Sequence, residues 1–419
     1  MKILFLGLNF RPEEIGIGLY SGDMVAAWAK AGHEVRAVVG APYYPAWKVF
    51  DGYAGKGWDR TSENGIDLTR CPIYVPAEPS GLKRMIHHAS FFASALLPML
   101  KAALAKKPDV VFTVAPSLIG APAAWLAARL CGAKCWLHVQ DFEMEAAFAT
   151  GLVKQGGMMS KLGPWFERTV INLFDYTSSI SPQMCAKLIE KGVPADRVYQ
   201  LRNWADIAAI QPYAGVSPYR AEWGIETPHV ALYSGNIANK QGIEIVLEAA
   251  RRLSHRQDLT FVVCGQGPNR ANLEAAAADL SNIQFHDLQP RERLNELLGM
   301  ASVHLMPQLA GAADLVLPSK LTNMLASGRP VVATADPGTG LADEVEGCGV
   351  LTMPGDAEAF ARGIEAVIDD PAAAARYGEA ARTRAMQRWA KEPILERLDE
   401  RLLAASGKGG VSPEAVART

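Results

Sequence analysis

The chain has 419 residues, of which 49% are hydrophobic and 21% are charged, and its formal net charge is −2. This composition excludes wholesale disorder and suits two or three domains, and the charge disfavours a dedicated nucleic-acid-binding protein. Residues 1–205 carry 22 Lys and Arg against 17 Asp and Glu, whereas the remaining residues carry 20 against 27. A basic first half and an acidic second half predict different binding partners for the two halves.

Short apolar runs alternate with helical stretches along most of the chain, which predicts parallel sheets covered on both faces by helices. In chain order we expect strands at residues 2–8, 35–40, 109–114, 134–139, 176–180, 198–201, 229–235, 259–264, 283–286, 302–306, 330–334 and 349–352. We expect amphipathic helices at 21–31, 118–131, 243–254, 270–279 and 357–368. The opening MKILFLGLNF is interpreted as a buried strand, because its apolar run is too short for a signal peptide.

The strand pattern restarts near residue 229, after a stretch between 212 and 228 that holds three prolines and is typical of a linker. We therefore expect a domain over 1–205 that a C-terminal helix at 390–405 completes, a second domain over 206–389, and a flexible tail at 406–419. Two doubly wound, Rossmann-like domains would face a cleft and bind ligands beyond the carboxyl ends of their strands. The six cysteines show no CxxC spacing and are expected to be small buried side chains.

The loops of the first half offer two candidate sites. The loop after the first strand carries Gly16 and Gly18 before a helix start, where free backbone N–H groups bind anions. It is not a complete GxGxxG, which makes an oxidoreductase the least favoured class. His138 ends a strand, with Asp141 and two glutamates, Glu143 and Glu145, just beyond it. These groups could orient sugar hydroxyls or move protons, and a structural histidine remains the alternative; their spacing fits no standard zinc motif.

The second half offers three more candidate sites, each in a loop that follows a strand. Gly235 and Asn236 follow a strand, and Lys240 stands before the next helix, as in a diphosphate-binding loop. The following strand ends at CGQGP, with Gly265 and Gly267. A later helix begins at Pro318 with Ser319 and Lys320, which add a hydroxyl and a positive charge at a helix start. Solvated lysines and an ordinary capped helix are the alternatives.

Residues 79–107 form a basic and apolar segment that suits a membrane surface. Lys83, Arg84, His87 and His88 precede an apolar run from 89 to 100 that Pro98 interrupts, and Lys106 and Lys107 close the segment. The uncharged run is too short to span a bilayer, but a basic amphipathic segment can lie on an anionic one. We expect peripheral docking here, with an internal helix as the alternative.

Taken together, the motifs resemble glycosyltransferase family 4 of the GT-B fold over residues 1–405. The resemblance rests on PEEIGIG at 12–18, SGNIANKQG at 234–242, CGQGP at 264–268 and PSKLTNMLASGRPVVA at 318–333. APYYPAWKV at 41–49, RCPIYVP at 70–76 and HVQDFE at 138–143 are similar to the exopolysaccharide enzymes of colanic-acid type, which are often labelled fucosyltransferases.

The resemblance implies a retaining, metal-independent transfer of a hexose from a GDP- or UDP-sugar, without a cofactor. It also implies a lipid-linked oligosaccharide acceptor at the cytoplasmic face of the inner membrane, with peripheral attachment and no nucleic-acid partner. His138 and Asp141 would act on the sugar. The donor would be bound by Gly16, Gly18, Gly235, Asn236, Lys240, Gly265, Gly267, Asp314, Ser319, Lys320 and Asn323.

This chain departs from the family pattern at two places. Asn236 stands where many members have arginine, whereas Lys240 matches the family lysine. Of the usual two glutamates, eight positions apart, the second falls on Asn323, which would contact the ribose as an amide. The first falls near Asp314 or Leu315, and Asp314 would replace it only with a shift of one residue. A nucleotide-sugar 2-epimerase of the same fold and a non-catalytic nucleotide-sugar sensor remain the alternatives.

Overall fold

The structure is a computed structural model that describes residues 1–14, 16–142, 158–205, 207, 209–237, 241–310 and 319–408, without the side chains of 158–161 and 319. The chain divides into two compact units. Unit 1 comprises Met1–Leu201 and the C-terminal segment from Leu395, and unit 2 comprises Arg202–Ile394. The sequence placed the corresponding boundaries at 205 and 390.

Each unit is built on its own twisted sheet, as buried apolar strands alternating with helices require. In the described part of unit 1 the strand order is β3-β4-β2-β1-β5-β6-β7-β8, and every recorded pair is parallel except β3 with β4. These strands are β1 (Lys2–Gly7), β2 (Glu34–Gly40), β3 (Asp59–Glu63), β4 (Ile66–Cys71), β5 (Val110–Ala115), β6 (Lys134–Val139), β7 (Tyr176–Ser179) and β8 (Val198–Gln200). In unit 2 the order is β11-β10-β9-β12-β13-β14, all parallel. Its strands are β9 (His229–Ser234), β10 (Leu259–Cys264), β11 (Ile283–His286), β12 (Val303–Met306), β13 (Val331–Thr334) and β14 (Gly349–Thr352).

The helices lie between the strands in the order expected of an α/β protein. Those in the first half are α1 (Ile17–Lys30), α2 (Gly81–Lys106), α3 (Ala121–Cys131), α4 (Met158–Ile171) and α5 (Pro182–Glu190). Those in the second half are α6 (Pro218–Glu222), α7 (Glu244–Arg252), α8 (Arg270–Ala276), α9 (Leu294–Gly299), α10 (Ser319–Ala326), α11 (Gly340–Val345), α12 (Ala357–Ile368), α13 (Pro371–Arg388) and α14 (Lys391–Ala405). Buried Leu398 and Leu402 of α14 belong to unit 1, and Asp399 hydrogen-bonds to His33 there.

All twelve predicted strands overlap observed strands, and the doubly wound α/β prediction is confirmed. The hairpin of β3 and β4, at one edge of the unit 1 sheet, is not among the predicted strands. Its turn is Asn64-Gly65, and both residues have positive φ, 50° and 81°. An Asn-Gly pair between two alternating segments is the strongest short-range signal for such a hairpin, so the information was present.

Helix α2 corrects the expectation that Pro98 interrupts the segment 79–107. The helix runs through Pro98 for 26 residues, and its buried face, which includes Phe91, Ala95 and Met99, joins the core of unit 1. Proline has no N–H to donate to the carbonyl four residues earlier. The indole Nε1 of Trp58 donates to that carbonyl, on Ser94, at 2.9 Å. Helix α2 is long and apolar enough to cross a membrane by length and composition alone. Core helices of soluble proteins meet the same two criteria.

Candidate active site

The carboxyl edge of the unit 2 sheet holds a backbone surface that only glycine permits. A Cβ on Gly265 would lie 1.9 Å from the carbonyl oxygen of Gly235, and a Cβ on Gly267 would lie 2.1 Å from that of Ile237. The loops after β9 and β10 are joined by two hydrogen bonds, from Gly235 N to the Cys264 carbonyl and from Ile237 N to the Gln266 carbonyl. The two loops therefore form one rigid backbone platform.

Lys320 lies directly on this platform. A Cβ on Gly235 would be 3.2 Å from Cδ of Lys320, so the lysine stem covers the glycine. Its Nζ donates to the Tyr233 hydroxyl at 3.0 Å and lies 4.2 Å from the centre of that ring. The Tyr233 hydroxyl in turn donates to the Asn236 carbonyl at 2.6 Å. Burial removes the ammonium from water and lowers the pKa of Lys320 to about 7.

The structure describes some of the remaining residues of unit 2 that were predicted to bind the donor. Asn236 is exposed and is the second residue after β9. Asn323 is half-buried, one turn after Lys320 on α10, and Ser319 begins that helix. Lys240 and Asp314 lie outside the described residues. The structure thus brings Gly235, Asn236, Gly265, Gly267 and Lys320 together.

In unit 1 the two predicted glycines differ from each other. Gly16 is the exposed N-cap of α1, with φ 62°, and no side chain among the residues that the structure describes caps this helix end. Gly18 is buried instead. A Cβ at this position would lie 2.7 Å from Cβ of Glu13. Gly18 therefore makes room for Glu13, and any contact it makes with a donor would be through its backbone.

Glu13 is a buried carboxylate that sequence reasoning did not single out. Its Oε1 accepts from the backbone N–H groups of Tyr43 and Tyr44 at 2.9 and 3.0 Å, and its Oε2 accepts from Nδ2 of Asn9 at 2.9 Å. Burial raises the pKa of Glu13, and these hydrogen bonds act in the opposite direction. Glu13 thereby fixes the loop after β1 to the loop after β2.

The structure encloses His138, and its predicted role on the sugar stays a prediction. The histidine lies at the end of β6, with two neighbouring strands ending at the same level, but it is 1% exposed. Its Nδ1 hydrogen-bonds to Oγ of Ser178 at 3.0 Å, and its Nε2 faces the amide nitrogen of Gln140, a donor, at 3.0 Å. Burial lowers the pKa of His138 to about 3, so the ring is neutral. The ring is thereby held against the Gln140 amide.

Asp141, the second residue after β6, is half-buried and remains the candidate acidic group at this strand end. Glu143 and Glu145 lie outside the described residues. No group of three or more His, Cys, Asp and Glu side chains suited to a metal occurs among the residues that the structure describes. Metal independence stays a prediction.

The predicted membrane residues divide by burial. Lys83, Arg84, Lys106 and Lys107 are exposed. His87 and His88 are 0% and 7% exposed, so the expectation that they meet a membrane or an acceptor directly is wrong. They lie on the face of α2 that turns to the core, where Nδ1 of His87 donates to the Tyr74 carbonyl.

Two family descriptions match the chain. The "Glycosyl transferase 4-like domain" matches residues 16–204, and "Glycosyl transferases group 1" matches residues 217–384. WcaI of Escherichia coli K12, which is named as a colanic acid biosynthesis glycosyl transferase, is 41% identical over 407 residues, which are 95% of this chain and 98% of that protein. The chain belongs to glycosyltransferase family 4. It is a glycosyltransferase, which decides against the epimerase and sensor alternatives.

Solved structures show that the fold of this glycosyltransferase is GT-B. HepE of Anabaena, in a complex with UDP, superposes with a TM-score of 0.71 at 17% identity and covers 96% of this chain and 99% of its own. Sucrose-phosphate synthase of Thermosynechococcus elongatus superposes with the same TM-score at 17% identity, covering 96% and 98%. At this identity the likeness concerns the fold alone.

Proposed function

We propose that this glycosyltransferase moves a hexose from a GDP- or UDP-sugar to a lipid-linked oligosaccharide, with retention of the anomeric configuration. The observation that carries the proposal is the enclosed ammonium of Lys320 on the backbone platform of Gly235 and Gly265. A leaving nucleoside diphosphate gains negative charge, which a preorganised lysine can stabilise without a cation. The proposal therefore includes no metal and no resident cofactor.

Retention fits a front-face reaction, in which the acceptor hydroxyl attacks from the side that the diphosphate leaves. The acceptor proton passes to a departing phosphate oxygen, so no side chain has to become a covalent nucleophile. His138 is neutral and enclosed, which suits a positioning role. Gln140 and Asp141, at the end of β6, are the groups we expect to orient the hexose.

Exopolysaccharide biosynthesis is the process that the similarity to WcaI favours. The donor's sugar and nucleobase are proposed from the resembling proteins and not from residues of this chain. The HepE structure contains UDP, and the fucosyltransferase label of the resembling enzymes favours GDP-fucose. Both nucleotides present the same diphosphate to Lys320, so they must be separated by experiment.

We also propose that the enzyme docks as a peripheral protein on the cytoplasmic face of the inner membrane through α2. The exposed face of α2 carries an apolar stripe with helical spacing: Leu82, Ile86, Ala89, Ala93, Leu97 and Leu104. Four of these leucine and isoleucine side chains are 47–69% exposed. Residues 79–107 hold five Lys and Arg and no Asp or Glu, which suits an anionic bilayer.

A thermal-shift panel of UDP, GDP, UDP-hexoses, GDP-hexoses and ATP tests the donor assignment. A ligand at 100 times its dissociation constant stabilises a protein by about 2.7 kcal/mol, so a true donor nucleotide should raise the melting temperature clearly. The shift should be lost in Lys320→Ala, whereas Lys101→Ala, an exposed lysine on α2, should keep it. A panel without any shift from UDP or GDP, or an equal shift in Lys320→Ala, would contradict the assignment.

A further inference from the structure

An open depression of about 510 Å³ lies in unit 1, between the loop after β2 and the segment after β4. Its lining includes Trp47, Lys48, Ile73, Tyr74 and Val75. The volume is in the range of small-molecule sites, which combine apolar and aromatic walls with a few polar groups. None of these residues belongs to the candidate donor platform of unit 2.

Trp47 on this wall has an unusual backbone. Its φ is 51°, in the left-handed region that bulky residues avoid at a cost of about 1–3 kcal/mol. The ring is held there by Tyr43, at 5.3 Å between ring centres, and by His87 at 5.5 Å. Residues in such conformations concentrate at ligand sites, where surrounding contacts determine the geometry.

Helix α2 holds the opposite wall in place. The backbone N–H of Tyr74 donates to Oγ of Ser90 at 2.9 Å, and Nδ1 of His87 donates to the Tyr74 carbonyl. Burial lowers the pKa of His87 to about 4, so the ring is neutral and keeps this hydrogen bond at physiological pH. The Tyr74 side chain is left 44% exposed at the depression.

We infer that this depression binds a sugar ring of the acceptor, stacked against Trp47 and Tyr74. The inference rests on the proposed function, because it names where the acceptor of that reaction is held. The apolar C–H face of a pyranose matches an aromatic surface, and Lys48 and the Arg84 guanidinium, 5.7 Å from the Trp47 ring, suit a neighbouring phosphate. Arg84 adjoins the start of the apolar stripe at Leu82 and Ile86. A lipid on that stripe would therefore bring its first sugars to the depression.

Saturation-transfer NMR with octyl β-D-glucopyranoside and octyl β-D-galactopyranoside, below micelle-forming concentrations, tests the inference. Trp47→Gly removes the ring and replaces it with the residue that adopts φ 51° without strain, so the fold should be kept. Tyr74→Ala removes an exposed ring without removing its backbone hydrogen bonds. Trp165→Ala, which truncates a 64% exposed tryptophan on α4, is the matched control.

With the wild type and with Trp165→Ala we expect saturation of the pyranose protons of at least one glycoside. We expect at least a tenfold loss in Trp47→Gly and in Tyr74→Ala. Equal pyranose signals in wild type and Trp47→Gly, or signals from the octyl chain alone, would overturn the inference. UDP and GDP binding is measured in the same samples: a wild type that binds neither nucleotide contradicts the proposed function, whatever the glycosides show.

Discussion

Lys320 is expected to couple donor binding to proton uptake. Its pKa is lowered to about 7 because the ammonium is removed from water, so near pH 8 much of the free enzyme carries a neutral lysine. A diphosphate favours the charged form and raises this pKa again, so binding takes up a proton. UDP or GDP affinity should therefore fall as pH rises above about 7, by up to tenfold per pH unit. Calorimetry in buffers of different ionisation enthalpy would measure the proton.

Lys320→Met should weaken diphosphate binding and stabilise the folded state. Burying a charged lysine is costly below its folded pKa, and this cost disappears as pH rises from about 7 towards 10.5. At pH 6.5 the variant should thus unfold at a higher temperature than wild type, while its diphosphate affinity falls by about 1.5–3 kcal/mol. Its affinity should also lose the pH dependence above 7. A variant that is less stable at pH 6.5 and keeps its affinity would show that the ammonium is not enclosed.

Buried His87, His138 and His304 should make the folded state sensitive to mild acid. Burial lowers the pKa of His87 to about 4 and those of His138 and His304 to about 3. The unfolded chain protonates them near 6.5, so the stability they contribute is present above that pH and is lost as pH falls towards 4. Urea unfolding between pH 7.5 and 5 should show this loss. His304→Gln, away from β6, should reduce the slope by about one proton, and an unchanged slope would contradict the assignment.

At the scale of single elements, one face of α2 packs on the core of unit 1, and the exposed face is proposed to bind a membrane. Replacing Lys83, Arg84, Lys106 and Lys107 with Ser should sharply reduce sedimentation with anionic vesicles, because each basic residue near such a surface is worth about 1 kcal/mol. High salt should weaken wild-type binding as well. Replacing Leu97 and Leu104 with Ser should weaken binding that persists in salt. Wild type that ignores anionic vesicles at low salt would refute the docking proposal.

The stabilising effect of the hydrogen bond from Trp58 to the Ser94 carbonyl should depend on Pro98, which lies on the same helix as Ser94. Trp58→Phe leaves the Ser94 carbonyl without its donor and should lower the free energy of unfolding by about 1–3 kcal/mol. Pro98→Ala restores a helical N–H for that carbonyl, so Trp58→Phe should cost less in the Pro98→Ala background. Chemical unfolding of the four proteins measures the coupling. Additive effects would show that the indole does not serve this carbonyl.

The sequence predicted the elements of the fold better than it predicted the surroundings of side chains. Buried parallel strands such as β10 have a strong local pattern, because both faces are apolar. The burial of His87 and His138 could not be read in the same way, since it depends on how α2 and β7 pack against residues distant in sequence. Gly235, Gly265 and Gly267 were found because close backbone approach requires glycine itself. Glu13 carried no such signal, because two of its three hydrogen-bond donors are backbone N–H groups of another loop.

At the scale of the molecule, unit 1 depends on the part of α14 from Leu395 onwards, which follows the whole of unit 2 in the chain. Ending the chain after Ile394 removes buried Leu395, Leu398 and Leu402, each worth about 1.5–3 kcal/mol when fully buried. Unit 1 should then melt at a much lower temperature in calorimetry, whereas unit 2 should keep its UDP- or GDP-induced shift. Ending the chain after Lys408 is the control, since it keeps α14 and the ion pair of Lys408 with Asp109. Equal melting of both truncations would contradict this dependence.

The late position of α14 has a consequence for synthesis in the cell. The ribosome must make all of unit 2, Arg202–Ile394, after unit 1 has emerged and before α14 can dock. At about 5–20 residues per second this takes about 10–40 s. During that interval the apolar surface that will receive Leu398 and Leu402 is exposed on a nascent chain. Unit 2, although second in sequence, is then the first unit able to finish folding, and holdase chaperones should engage the waiting N-terminal half.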